Sequence, residues 1–281
     1  RVPAEKFIEV KDGEALSLGG KTLRFIYTPW VHWPETMSTC LEEDGILFSC
    51  DFFGSHIATD EPYADVKTVY SPMKRYYAEI MMPFRSNIKG NLEKLKGLDI
   101  ALIAPSHGPM HKDVKFALDA YKDWALGEPK NKALVAYISM HGSTLLLVNR
   151  LVSALQEKGV EVEKINLEDF DIGRAAMALV DSATVVIGTP TVLAGPHPKA
   201  VYLACLANAL RPKTKFVSVI GSYGWGGRAV ETIAGMIPNI KAEVLKPVMV
   251  KGMPTDGDLR QADELAALIA EKHEAAGLVR S

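Results

Sequence analysis

Several features that would place this chain in a functional class are missing from its sequence. Only three cysteines occur, Cys40, Cys50 and Cys205, and none forms a CxxC pair, which excludes a four-cysteine iron centre and predicts a reducing cytoplasm. No apolar run approaches the roughly 18 residues that a membrane span needs. The net charge is −2 and no basic stripe is present, so nucleic acid is not an expected partner.

The sequence also lacks an initiator methionine and a signal peptide. It opens Arg-Val-Pro, with an extended pattern from its first residues. From this opening we expect a chain cut from a longer polypeptide. Its 281 residues are enough for about two domains, and its 48% hydrophobic and 23% charged residues are ordinary for a soluble globular protein.

One stretch, 133–150, organises the second half of the chain. The apolar run at 133–138 predicts a strand buried on both faces, and a helical pattern begins at Leu145. The turn between them lacks the lysine of a nucleoside-triphosphate loop, but its hydroxyls and the amides of the helix start would cradle a phosphate. Serine and threonine at a helix start can equally be plain N-caps. The candidate residues are Ser139, Met140, His141, Gly142, Ser143 and Thr144.

From this stretch onward, strand and helix patterns alternate five times. Such an alternation predicts a doubly wound, parallel five-stranded sheet of the flavodoxin-like kind, preceded by a polar linker at 128–132. Strands are predicted at 133–138, 160–166, 183–188, 215–220 and 243–250, and helices at 144–157, 173–181, 196–210, 227–236 and 258–276.

Two further strand ends in this half carry loops of small residues. Their backbone would lie against a flat ring, and Tyr223 and Trp225 would pack on its edge or face. Each loop alone is also compatible with an ordinary turn. Beside the phosphate turn, the two loops would flank an isoalloxazine. The candidate residues are Pro190, Thr191, Val192, Leu193, Ala194 and Gly195, then Ser222, Tyr223, Gly224, Trp225, Gly226 and Gly227.

In the first half, three predicted strands each lead to a metal-ligand type of residue. His32, Asp51 and His107 follow these strands, and chemistry gathers outside the carboxyl ends of strands. One carboxylate and two imidazoles suit iron or zinc, although each residue alone could be a turn former. The strands are predicted at 23–28, 45–50 and 100–104, with shorter ones at 7–10 and 15–18.

Helical spacing is present at 71–97 and 114–124. In the first of these, the apolar residues are interpreted as core and not as a cofactor site; they are Met73, Tyr76, Tyr77, Ile80 and Met81. His56 and His111 lack a strand-end position, so we interpret them as surface residues or as neighbours of the ligands.

These motifs resemble those of flavodiiron proteins, also called A-type flavoproteins. Segments 32–37, 48–54 and 104–109 resemble the second half of the family's metallo-β-lactamase-like αβ/βα sandwich. Segment 133–281, above all 221–227, resembles its flavodoxin-like domain. The resemblance implies domains at 1–127 and 133–281.

The same resemblance implies the cofactors and their ligands. It implies FMN and not FAD, and a non-haem di-iron site with His32 on one iron, His107 on the other and Asp51 bridging both. Two departures accompany it. The family's first metal motif, His-x-Glu-x-Asp-His, is absent from 1–31, so we expect an incomplete di-iron site in this chain. Leu193 stands where the family often has an amide, so one ring contact would come from backbone.

The function that the resemblance implies is an oxidoreductase that passes electrons from FMN to di-iron and reduces O2 to water or NO to N2O. His32, Asp51 and His107 would be its catalytic residues. Rubredoxin, a deazaflavin coenzyme or a flavin reductase would supply electrons, and a head-to-tail homodimer is implied. Two alternatives remain open: an FMN electron-transfer flavoprotein with an incomplete metal site, and a zinc hydrolase fused to a flavodoxin-like domain.

Overall fold

A computed structural model gives the fold of residues 3–169 and 171–279. Residues 1 and 2, where the sequence predicts an extended start, lie outside this described part. The chain divides into two units, Arg1–Gly127 and Glu128–Ser281.

The first unit is built on a five-stranded sheet. Its strands lie in chain order across the sheet, antiparallel from β1 to β4, with β5 parallel to β4. The bounds are β1 Ala15–Ser17, β2 Thr22–Tyr27, β3 Met37–Leu41, β4 Ile46–Cys50 and β5 Leu102–Pro105. The predicted strand at 7–10 is wrong, since Phe7 and Ile8 are exposed and no strand forms there.

Three α-helices complete this unit: α1 Val66–Tyr76, α2 Arg85–Leu95 and α3 Val114–Leu126. The single helical segment predicted at 71–97 is interrupted between α1 and α2 by a π-helical turn, Tyr77–Met81, and a 3-10 turn, Met82–Phe84. The interpretation of its apolar residues as core is confirmed for Met73, Tyr76, Tyr77 and Met81, which are buried, while Ile80 is half-buried.

The second unit contains the predicted parallel sheet. Strands lie in the order β7, β6, β8, β10, and β11 and β12 both pair with the outer edge of β10 as two pieces of a fifth strand. The two-residue β9 pairs antiparallel with β8. The bounds are β6 Lys130–Tyr137, β7 Glu161–Asn166, β8 Ser182–Val192, β9 Gly195–Pro196, β10 Phe216–Tyr223, β11 Glu243–Val244 and β12 Val248–Lys251.

Two predicted boundaries in this sheet differ from the structure. β6 begins at Lys130, so most of the predicted linker 128–132 belongs to the sheet; Lys130 pairs with Ser182 of β8. The predicted fifth strand at 243–250 is broken between β11 and β12, where Pro247 cannot donate a ladder hydrogen bond.

Five helices cover the sheet: α4 Ser143–Glu157, α5 Ile172–Asp181, α6 Pro198–Leu210, α7 Ala229–Gly235 and α8 Asp256–Ala275. α4 and α8 pack into one core cluster with Val135 and Val186, and right-handed crossovers place α5 and α6 on the opposite face. None of the helices in the described part combines the length and the apolar character needed to cross a bilayer.

A buried histidine links α8 to the sheet. His273 donates from Nδ1 to Asn131 Oδ1 at 2.8 Å, and the Thr184 hydroxyl donates to its Nε2 at 2.7 Å. Burial lowers the pKa of His273 from 6.5 to about 4. The folded unit therefore holds this imidazole in its neutral form throughout the physiological pH range.

This histidine predicts a pH-dependent stability of the second unit. Because the pKa is lower in the folded than in the unfolded chain, the unfolded chain binds the extra proton between pH 6.5 and 4, and stability falls as pH falls. We expect a loss of about 2 kcal/mol between pH 7 and pH 5. Amide hydrogen exchange of β6 and α8 peptides measures it.

Two variants on α8 separate this effect from others. In His273→Gln the stability of the second unit should depend much less on pH. Lys272→Gln removes only an exposed ion pair with Glu243, so its stability should change with pH as in the wild type. If the stability of His273→Gln and of the wild type changed equally with pH, His273 would not be the cause of the pH dependence.

Candidate functional site

The three loops predicted to hold a flavin meet at one edge of the second sheet. β8 lies between β6 and β10 and is parallel to both, so the carboxyl ends of the three strands lie side by side. The Thr144 hydroxyl of the first loop is 3.4 Å from the Ser222 hydroxyl of the third. The first and third loops therefore lie against each other at this edge.

The first loop, predicted to hold a phosphate, turns directly into a helix start. Gly142 is the N-cap of α4 with φ 88°, and its position supplies no capping side chain, so the amides of Ser143 and Thr144 begin the helix. Ser143 and Thr144 are therefore not the plain N-caps that the sequence left open. Ser139 Oγ accepts from the amides of Gly142 and Leu145 at 3.2 and 3.3 Å, which fixes the turn around this helix start. Met140 and His141 are exposed at its rim.

The second loop is a tight hairpin instead of an open loop. β8 continues through Pro190 and Thr191 to Val192, and Val192 pairs with Gly195 across a two-residue turn. Leu193 and Ala194 form that turn with φ values of 49° and 63°. Leu193 is 92% exposed, and a left-handed conformation is one that asparagine tolerates better than leucine.

The third loop packs tightly against this hairpin. A Cβ on Gly227 would lie 2.4 Å from Thr191 Cγ2, and the amide of Arg228 donates to Ala194 O at 2.8 Å. A Cβ on Gly221, at the start of the loop, would lie 1.8 Å from Thr189 O. Glycine is therefore required at both positions for the two backbones to meet.

Beyond these contacts, the third loop presents its aromatic residues to solvent. Ser222 and Tyr223 end β10, Gly224 and Gly226 flank Trp225, and the Trp225 side chain is 85% exposed. An exposed indole on a glycine-rich turn offers a flat apolar surface on which an aromatic ring could stack.

The three predicted metal ligands also meet, in the first unit. β2, β4 and β5 run in the same direction, so the residues after their carboxyl ends lie at one edge. Asp51 Oδ2 is 3.3 Å from His32 Nε2, and Asp51 Oδ1 is 4.0 Å from His107 Nε2. Each carboxylate oxygen thus faces one imidazole, which is the arrangement of a bridging carboxylate.

The backbone at 53–55 orients the His107 ring. His107 Nδ1 donates to the carbonyl oxygen of Ser55 at 3.2 Å, so Nε2 carries the lone pair that faces Asp51. A Cβ on Gly54 would lie 2.5 Å from His107 Cε1. The glycine therefore makes the space in which the imidazole lies.

Asn91, which the sequence did not identify, and His56 and Tyr76, which it interpreted as a surface or neighbouring residue and as core, surround the ligand loops. The buried Asn91 of α2 donates to Pro29 O at 2.9 Å and anchors the loop that carries His32. His56 is exposed, with its ring centroid 5.2 Å from that of His107. Tyr76 is buried with its ring edge-on to His107, and burial, followed by the charge of Asp51, raises its pKa.

His111 is buried, so of its two interpretations only that of a neighbour of the ligands remains. It is 1% exposed, its Nε2 lies 3.0 Å from Phe53 O, and burial lowers its pKa. No local sequence signal distinguishes His111 or Asn91 from ordinary loop and helix residues, because their partners lie far away in the chain.

The donor set fits part of a di-iron site. Two imidazoles around one carboxylate match a bridged pair of ions, whereas no group of three or more His, Cys, Asp or Glu side chains in the described part is arranged to hold a metal ion by itself.

Comparison with known proteins places both units of the chain in one family. Residues 2–108 match the family model described as ODP family beta lactamase, and residues 135–276 match Flavodoxin. The nitric oxide reductase of Moorella thermoacetica is 34% identical over 271 residues, which cover 94% of this chain and 68% of the relative.

Two solved structures extend this likeness over both units. The rubredoxin oxygen:oxidoreductase of Desulfovibrio gigas matches with a TM-score of 0.90 and 30% identity, over 95% of this chain and 69% of that one. The flavodiiron protein of Giardia intestinalis matches with a TM-score of 0.89 and 28% identity, over 95% and 68%. The chain belongs to the flavodiiron, or A-type flavoprotein, family.

Membership of the flavodiiron family confirms the predicted fold class and the prediction of an oxidoreductase. It also supports FMN and a non-haem di-iron site as the cofactors. The individual ligand residues in this flavodiiron chain remain predictions.

The close contact between the second and third loops yields a test of the flavin cleft. In Gly227→Ala the new methyl group would meet Thr191 and push the hairpin away, so we expect FMN affinity to fall about ten-fold or more. Titration of the apoprotein with FMN, followed by flavin fluorescence, measures the affinity. Gly235→Ala at the end of α7, where a Cβ meets nothing within 4 Å, is the control; equal affinities in the two variants would contradict the predicted cleft.

Proposed function

We propose that this protein passes electrons from FMN in the three-loop cleft to a di-iron site that includes His32, Asp51 and His107, and thereby reduces O2 to water or NO to N2O. The observation that carries the proposal is the position of Asp51, with one oxygen facing each imidazole. Such a carboxylate is suited to hold two ions a short distance apart.

The residues of the cleft would bind and orient the flavin. The amides of Ser143 and Thr144 and the hydroxyls around them would hold the phosphate at the helix start. The hairpin turn at Leu193 and the third loop would flank the ring, with Trp225 against it. FMN, when bound, supplies the ability to exchange one or two electrons.

The edge of the first sheet that carries His32, Asp51 and His107, its metal edge, would hold these three side chains in position. The Nδ1 proton of His107, held by Ser55 O, leaves Nε2 free for an ion, and Asn91 holds the loop of His32 in place. His32 would be a ligand of one iron, His107 of the other, and Asp51 of both.

The proposal includes the organisation and partners of the protein. Residues 1–127 would be the C-terminal half of the metallo-β-lactamase-like domain, and 133–281 the FMN domain.

The D. gigas relative is named for rubredoxin and oxygen, and the M. thermoacetica relative for nitric oxide. We propose rubredoxin, a deazaflavin coenzyme or a flavin reductase as donor, a head-to-tail homodimer, and a cytoplasmic location, in keeping with three free cysteines.

One observation favours a second candidate, an FMN electron carrier with an incomplete metal site. Within the described residues, the candidate ligands do not form a complete group. The kind of metal bound separates the candidates: iron for the proposed reductase, no metal for a carrier, and zinc for a hydrolase.

The product of O2 reduction tests the proposed route. Flavin alone would reduce O2 to hydrogen peroxide, whereas the route through the metal site should give water. We expect Asp51→Asn, which weakens the bridge between the two ions, to keep FMN but to release peroxide when the reduced protein meets O2. Peroxide at equal yield in Asp51→Asn and the wild type, both loaded with iron, would contradict the proposal.

The role of Trp225 gives a separate prediction for the flavin. Because the side chain is 85% exposed, its removal should leave the fold intact while it removes a stacking surface from the ring. We expect Trp225→Ala to bind FMN roughly ten-fold more weakly, which corresponds to about 1.4 kcal/mol. Trp225→Phe, which keeps an aromatic face, should recover most of this affinity. Unchanged binding in Trp225→Ala would show that the indole does not touch the flavin.

A further inference from the structure

A buried histidine behind the metal edge is not used by the proposed function. His111 lies four residues after His107, and its backbone pairs with Ile103 of β5 in both directions, at 2.8 and 3.0 Å. The residue is thereby fixed to the strand that leads to His107. Its side chain extends away from that strand toward the loop after Asp51.

The His111 side chain makes one hydrogen bond in the described part of the chain. Since a carbonyl oxygen can only accept, the 3.0 Å contact means that Nε2–H donates to Phe53 O. The other ring nitrogen, Nδ1, is buried and has no partner among the described residues. A buried nitrogen without a partner costs free energy that an apolar side chain would not. The hydrogen bond to Phe53 O is therefore the favourable contact that distinguishes this histidine from an apolar residue.

The segment that His111 holds is the one that shapes the position of His107. Phe53 has φ 67°, a left-handed conformation that is unfavourable for a bulky residue and needs support from its surroundings. Gly54 follows and lies against the His107 ring, and Ser55 O accepts the Nδ1 proton of His107. The same turn begins at Asp51, whose carbonyl accepts from the amide of Gly54 at 3.0 Å.

We infer that His111 is a positioning residue for His107: its hydrogen bond to Phe53 O fixes the turn 51–55, which sets the tautomer of His107 and its distance from Asp51. The imidazole of His111 thus acts on a metal ligand without touching a metal. The inference rests on the proposed role of His107 as a ligand.

Three substitutions test the bond against mere packing. His111→Leu keeps the bulk but removes the donor, His111→Gln places an amide donor near the position of Nε2, and His111→Asn has a donor that is too short to reach Phe53 O. His273→Leu, at the buried histidine of the second unit, is the matched control. Circular dichroism reports whether each variant folds.

Two readouts are measured on each folded variant. The ¹⁵N shifts of the His107 ring report its tautomer without any metal, and titration with Co²⁺ reports affinity. We expect a fixed Nδ1–H tautomer in the wild type, His111→Gln and His273→Leu. We expect a mixture of tautomers and about ten-fold or more weaker Co²⁺ binding in His111→Leu and His111→Asn. If His111→Leu does not fold, the comparison of His111→Gln with His111→Asn tests the inference by itself.

A single His107 tautomer in the folded His111→Asn or His111→Leu variant would overturn the inference. Failure of the proposed function appears differently. Absence of Co²⁺ binding in the wild type would count against the proposed role of His107 as a ligand, while the tautomer of His107 still reports on His111.

Discussion

Parallel strands of one sheet have their carboxyl ends at the same edge, and both candidate sites of this protein depend on that constraint. In the second unit, the neighbours β6, β8 and β10 bring three loops together although about 80 residues separate Thr144 from Ser222 along the chain. In the first unit, β4 and β5 do the same for Asp51 and His107, and β2 adds His32 because it runs in their direction across the antiparallel β3. Neither site is built from a local motif alone.

With the strand ends at one edge, close contacts between backbones set the positions of the loops. Gly221 and Gly227 let the third loop touch the hairpin, and Gly54 lets a turn touch the ring of His107. In each case a methyl group would lie closer to a neighbour than van der Waals contact allows and would have to displace it. These glycines bind nothing themselves, yet the positions of the binding groups depend on them.

The apolar periodicity and the strand ends predicted most elements of the second unit and both candidate sites. Five β/α units, the loops at their ends and the three candidate ligands of the first unit all follow from apolar runs that stop at small or polar residues. β3 was missed because Met37–Leu41 mixes serine and threonine with apolar residues, and the strand at 7–10 was predicted from an alternation that finds no partner. The hairpin at Leu193 was not predictable because leucine is unfavourable in the left-handed conformation of its turn, and the role of Asn91 was not because its contact with Pro29 joins residues far apart in the sequence. For His111 the sequence left a surface position and a position beside the ligands open, and only the fold decides between them.

The two sites reach their geometry by different means. At the metal edge, buried side chains support the ligand loops: Asn91 holds Pro29, and His111 holds Phe53. Two imidazoles and a carboxylate must meet small ions at fixed distances, so such rigidity is required before the ions arrive. At the flavin edge, backbone contacts fix the loops while Leu193 and Trp225 extend into solvent. A flat ring offers a large face, so exposed side chains can settle on it after it binds, because the backbone beneath them is already in place.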